Sequence, residues 1–136
     1  MNKPIFVTAV LFIFYFLNAS RVLGASNLTL EVRSPEETKV CEYFPENCDF
    51  FIKVFRCESG LVANKISYVP NWDGSRDYGV AQLNSRWQKA NFERMFGVPF
   101  ETGALNADLN LKFAREWLYD YQGMNPWKSS KWCWNK

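Results

Sequence analysis

Asp73-Gly74-Ser75-Arg76-Asp77-Tyr78-Gly79-Val80-Ala81-Gln82-Leu83-Asn84-Ser85-Arg86-Trp87 is the run on which the reading of this chain depends. Its first half is built from turn formers: Asp73-Gly74-Ser75 and Tyr78-Gly79, with Val69-Pro70-Asn71 just ahead. Asp and Asn bond nearby backbone, Gly accepts a positive φ, and Pro presets its own. Residues 61–79 carry no helical period, which predicts a small irregular hairpin region. From Asn84-Ser85 onward Trp87, Ala90, Phe92, Met95 and Phe96 predict a helix that buries some of these side chains and ends at Gly97.

On the N-terminal side, Phe50, Phe51, Val54 and Phe55 follow one face of a helix that begins near Asn47. Gly60 predicts its left-handed stop, which leaves Glu58 in the last turn. Residues 25–40 are polar and charged, with Pro35-Glu36-Glu37-Thr38, and read as an extended arm. On the C-terminal side a helix runs from an Asn106 cap to Gly123, with Leu111, Ala114, Trp117, Leu118 and Tyr121 inward. A compact aromatic tail follows, in which Trp127, Trp132 and Trp134 go to the core or to a surface edge without preference. Neither internal repeats nor low-complexity stretches interrupt this order.

The first 24 residues have a secretory layout: Lys3, an apolar run from Ile5 to Leu17, then Val22 and Gly24 before a cut at Ala25. The run is shorter than the ~20 residues of a spanning helix. Contact with a membrane is expected only if this segment stays uncleaved, as an anchored envelope protein. Of the 136 residues, 112 remain after the cut, enough for one domain, assigned to 41–136. Lys3 and Arg21 leave with the segment, so the formal charge falls from +2 to zero. Acids and bases are interspersed, which speaks against nucleic acid as a partner. Zero charge also gives little long-range attraction to an anionic bacterial wall.

Cys41, Cys48, Cys57 and Cys133 all lie after the cut, and four cysteines in a small exported chain read as two disulfides. Three pairings are open; the preferred one joins Cys57 to Cys133 and Cys41 to Cys48. The chain has no histidine, which removes Ser-His-Asp and Cys-His catalysis and weakens any zinc reading. No metal and no organic cofactor is implied. Asn27-Leu28-Thr29 is a glycosylation sequon.

Glu58 is out of place by local rules, because a helix C-terminus carries partial negative charge and favours Lys or Arg. A broken local rule is a functional hint. The same dipole and the apolar neighbours would raise the carboxyl pKa, as an acid that cleaves a glycosidic bond requires. The plain alternative is a surface glutamate at a frayed helix end. Asp77 follows 19 residues later, where the turn-rich segment can bring it back beside Glu58. Two carboxylates facing one sugar bond form an acid and a stabiliser or nucleophile. The alternative is that Asp73 and Asp77 only hold turns.

The run from Asp73 to Trp87 resembles the signature of chicken-type lysozymes, in which DGS-x-DYG-x-x-Q-x-NSRW follows the catalytic glutamate. Glu58-Ser59-Gly60, the later G-x-x-Q-x-N and the Gly123 to Trp127 tail also resemble soluble lytic transglycosylases and goose-type lysozymes. The resemblance spans about residues 48–134. It implies a lysozyme-like, two-lobed α+β domain, predominantly helical, with the cleft between the lobes and a small β region on one wall. Lysozymes are themselves the type case for a glutamate with a raised pKa. Carried over by position, Glu58 is the general acid and Asp77 the aspartate that stabilises or attacks the sugar cation. Gln82, Asn84, Trp87 and Tyr78 fall at substrate-side positions. Asn and Gln amides bond N-acetyl and hydroxyl groups, and a Trp ring covers a sugar face. Trp87 is weighed evenly against core packing, whereas Tyr78 and Gly79 are read as shaping the turn more than as touching substrate.

Two departures stand out. The spacing between the carboxylates is slightly longer than in chicken-type enzymes, and four cysteines replace their four disulfides. The expected activity is cleavage of the β-1,4 bond between N-acetylmuramic acid and N-acetylglucosamine, by hydrolysis or by 1,6-anhydro formation. The expected partner is peptidoglycan or a related N-acetylated glycan, and the protein is expected to be a secreted monomer. The competing expectation is an inactive glycan-binding or regulatory protein on the same fold.

Overall fold

A computed structural model describes residues 32–136. The signal segment, its cut before Ala25 and the Asn27 sequon lie outside the described residues. The described chain is mostly helical, with one two-stranded antiparallel sheet.

Helix α1 (Pro35–Tyr43) takes up the last part of the 25–40 stretch whose composition predicts an extended arm. Ser34 and Glu37 form a reciprocal capping box, and Pro35 sits in the first turn. Of its nine residues only Val40 is fully buried, so the apolar periodicity that marks a helix is missing. Ser34-Pro35-Glu36-Glu37 was the legible signal. Phe44 follows and stacks on Phe51, with centroids 4.0 Å apart.

Helix α2 (Cys48–Ser59) buries Phe51, Ile52, Val54 and Phe55, and Gly60 ends it at φ 71°, as expected. Strands β1 (Asp77–Tyr78) and β2 (Leu83–Asn84) pair Asp77 with Asn84 and Tyr78 with Leu83. Helix α3 (Lys89–Phe96) begins later than Asn84-Ser85 predicts. Asn84 belongs to β2, and its Oδ1 accepts the N–H groups of Arg86 (3.0 Å) and Trp87 (3.3 Å). It therefore organises a turn before the helix. Phe92 is buried in α3, whereas Trp87 is 65% exposed and lies outside the core.

A short helix α4 (Phe100–Gly103) precedes α5 (Ala107–Phe113). Asn106 caps α5 by accepting the Asp108 and Leu109 N–H groups. The run continues through a π-helical segment (Ala114–Tyr119) into α6 (Asp120–Gln122) and stops at Gly123. The wider π turn shifts the register of the buried face. Leu118 stays inside, but Tyr121 is exposed rather than inward. The tail forms a 3-10 segment (Asn125–Ser130) and helix α7 (Lys131–Trp134).

The disulfides join Cys41 to Cys48 and Cys57 to Cys133. The core holds two aromatic groups, Phe44, Phe51, Phe55 and Trp127 in one and Phe92, Phe100 and Phe113 in the other. Asn110, fully buried on α5, ties the β1–β2 connection to the helices. Its Oδ1 accepts the Ala81 N–H (2.8 Å), and its Nδ2 donates to the carbonyls of Tyr78 (2.9 Å) and Ala104 (2.8 Å). Asn110 thereby meets the polar needs of a buried turn that has no ladder partner there.

Candidate active site

The C-terminal turn of α2, strand pair β1–β2 and the tail surround a cleft of about 290 Å³. Glu58, Asp77, Gln82, Asn84 and Trp87 all line it, joined by Asn71, Gln88 and Trp127. Residues spread over 70 positions of sequence, 58–127, thus converge because α2 ends at the cleft, β1 returns the chain to it and the tail closes on both.

Glu58 is half-buried at the end of α2. Burial pushes its carboxyl pKa above the ordinary glutamate value; a hydrogen bond from Ser130 opposes the rise, and the negative charge of Asp77 adds to it. The Ser130 hydroxyl is held by the tail: it lies 2.9 Å from the Trp127 carbonyl and accepts the Trp134 indole N–H at 2.9 Å. Trp127, only 2% exposed, anchors this wall by donating its indole N–H to the Ala81 carbonyl at 3.1 Å.

Asp77 sits in a different environment. The Asn84 Nδ2 donates to its Oδ1 at 2.9 Å, and the Asn71 Nδ2 lies 3.3 and 3.2 Å from its two oxygens. Its own N–H donates to Ser67 Oγ at 3.0 Å. Ser75 completes the frame by accepting from both asparagines and donating to Asp73 at 2.6 Å. Asp73 holds the turn: it accepts the Ser75 N–H and hydroxyl, and these bonds, with Arg86 nearby, keep its pKa below the usual aspartate range. The two aspartates of the run therefore differ in task, one closing a turn and the other facing the cleft.

Tyr78 does not belong to the cleft lining. Successive strand residues point to opposite faces. With Asp77 toward the cleft, the Tyr78 ring turns inward and meets Phe100 edge-on at 5.2 Å. Asn84 shares the Asp77 face because the two are register partners. Gln82 lines the cleft but also donates its side-chain N–H to the Gly79 carbonyl at 2.8 Å, so it shapes the turn as well. Trp87 presents an exposed ring, with the Arg86 guanidinium 5.3 Å from its centroid.

Among the tail tryptophans, Trp127 and Trp134 are buried and Trp132 is exposed. Ser130 carries no individual sequence signal, since it acts on Glu58 from 72 positions away, and Asn71, four and six residues from its partners Ser75 and Asp77, reads in sequence only as a turn former. Among the described residues no group of Cys, Asp and Glu is arranged to hold a metal ion. Compared with known proteins, the chain matches no family model, no curated protein and no solved structure.

Proposed function

We propose that this chain is a secreted glycosidase of lysozyme-like type, acting on the β-1,4 bond between N-acetylmuramic acid and N-acetylglucosamine in peptidoglycan. The observation that carries the reading is the pairing of two unlike carboxyl groups across one cleft. Glu58 has a pKa raised by burial, and Asp77 is bonded by two asparagine amides. Carboxyl groups set in contrasting environments divide into a proton donor and a charge stabiliser or nucleophile.

In the first step Glu58 gives its proton to the leaving glycosidic oxygen as the C1–O bond breaks. Asp77 stabilises the sugar cation, or forms a bond to C1. Glu58, now a carboxylate, takes a proton from the incoming water, or from the 6-hydroxyl of the substrate when a 1,6-anhydro ring closes. Asn84 and Gln82 offer amide groups to N-acetyl and hydroxyl groups, and the open Trp87 ring offers a face to a sugar. The two disulfides fit an extracellular protein, and among the described residues no helix is long and apolar enough to cross a membrane.

The zero charge of the chain after residue 24 favours a second reading, a glycan-binding protein without turnover. Mass spectrometry of peptidoglycan treated with wild type and with Glu58→Gln separates the two. Products from wild type alone, with reducing or 1,6-anhydro ends, are expected. Absence of products from both proteins, with saturable oligosaccharide binding, would leave the binding reading.

A further inference from the structure

Ser130 reaches Glu58 across 72 positions of sequence, and among the described residues it is the one side chain hydrogen-bonded to that carboxyl. Its oxygen is surrounded by one more acceptor than its hydrogen can serve. Glu58 Oε1 and the Trp127 carbonyl both stand within bonding distance, while the Trp134 indole N–H points at the hydroxyl oxygen. A serine hydroxyl has one hydrogen to give and two lone pairs to offer. The site therefore contains two complete bonding patterns.

We infer that Ser130 is a positioning residue that serves Glu58 in both protonation states, through a hydroxyl hydrogen that turns between Glu58 and the Trp127 carbonyl. When Glu58 is ionised, Ser130 donates to it and accepts from Trp134. When Glu58 carries its proton, that O–H donates to Ser130, whose own hydrogen turns to the Trp127 carbonyl. Trp134 donates to Ser130 in both patterns, the Trp127 carbonyl keeps the same indole N–H at 3.3 Å when the Ser130 hydrogen turns away, and Ser130 neither gains nor loses a proton. A glutamate that must first donate and then accept a proton needs such an adaptable neighbour. In this respect the inference rests on the proposed catalytic role of Glu58; the exchange of hydrogen bonds does not.

The other charges around Glu58 do not supply this service. Asp77 acts from β1 with the same sign. Arg56, on the same helix, is paired with Glu37, and Arg115, within the π segment, is paired with Glu46 and Asp120. Lys128 and Lys131 of the tail are exposed.

The test is a carbon-13 NMR titration of the Glu58 carboxyl in the full disulfide-bonded protein, for wild type, Ser130→Ala, Ser130→Thr and Trp134→Phe. Ser130→Ala removes the donor to the ionised form and the acceptor for the protonated form; the bond to the charged carboxylate is the stronger of the two, so the Glu58 midpoint moves up, and Ser130→Thr restores it. Trp134→Phe leaves the hydroxyl but strips its partner, and the midpoint moves up by less. In peptidoglycan cleavage Ser130→Ala lowers kcat about tenfold with KM little changed, because a bond to a charged group is lost without loss of a substrate contact. An unmoved or lowered midpoint in Ser130→Ala overturns the inference, as does an unmoved midpoint in Trp134→Phe should the alanine variant fail to fold. Midpoints that move as stated in a protein that cleaves nothing uphold the inference and remove the glycosidase reading.

Discussion

Cys57 is bonded to Cys133 with their Cα atoms 6.0 Å apart, so the end of α2 and the tail are held together beside the candidate acid. Glu58 directly follows the first cysteine, and Ser130 lies about one helical turn before the second. The bond closes a separation of 76 residues, against 7 for Cys41–Cys48. By loop-closure entropy the long bridge contributes about 4 kcal/mol and the short one about 2 kcal/mol. Urea denaturation of the paired Cys→Ala variants should show the larger loss for Cys57/Cys133. That variant should also lose activity under conditions where it is still folded, and equal effects of the two variants would contradict this account.

Glu58 makes stability depend on pH in a definite direction. Its folded pKa is raised from 4.5 by burial first of all. The folded state therefore holds the proton more tightly than the unfolded chain does. The resulting stabilisation is complete below about pH 4.5 and is lost as pH rises through the folded pKa. Glu58→Gln has no such proton to lose. The Tm of the variant relative to wild type should accordingly rise across that window and level off above it. A constant difference between the two proteins would mean that the Glu58 pKa is not raised. The lowered pKa values of Glu37 and Asp73 act with opposite sign, but they are common to both proteins and cancel.

Gly79 is the glycine whose replacement should damage the site most. It sits at φ +74°, and an added Cβ would lie 2.2 Å from both the Ala104 carbonyl oxygen and the Asn110 amide nitrogen. Backbone strain and overpacking together predict a loss of about 2–4 kcal/mol for Gly79→Ala. Gly74, also at positive φ but with open space around it, should lose only about 1 kcal/mol on the same change. Thermal or chemical unfolding of the two variants checks the contrast, which depends on the close approach of Asn110.

Trp87 offers a surface contact whose loss should separate binding from folding. Because it is largely exposed, Trp87→Ala should change stability by less than about 0.5 kcal/mol. If its ring covers a sugar face, affinity for chitin oligosaccharides should fall about tenfold, equivalent to about 1.4 kcal/mol. Calorimetric titration of folded variant and wild type measures this directly. Unchanged affinity would remove Trp87 from the glycan-binding surface.

Much of the helical order was legible because it rests on local rules. The apolar face of α2 and its Gly60 stop, the Asn106 cap and Gly123 stop, and the turn-rich 61–79 segment all follow from neighbours in sequence. The helix at Pro35–Tyr43 was hidden because it buries so little, and its capping box is the signal that composition outweighs. The motif left Tyr78 between turn and substrate, because adjacency in a motif says nothing about which face of a strand a side chain takes; its ring packs on Phe100. Its neighbour Asp77 faces the cleft for the same reason that Tyr78 does not.

The sequence by itself determined the helix stops at Gly60, Gly97 and Gly123, that Glu58 stands at an unfavourable helix end, and that a turn-forming run carries a second carboxylate. Those features depend on backbone preferences and dipoles that act within a few residues. Only the tertiary structure decided that Asn71 and Asn84 close on Asp77, that Asn110 holds the β turn, and that Ser130 meets Glu58. Each of these is a hydrogen bond that a buried or half-buried polar group must find in three dimensions. For Asn110 and Ser130 the partner is set by packing between segments far apart in sequence; for Asn71 and Asn84, six and seven residues from Asp77, it is set by how the turn-rich segment folds back on itself.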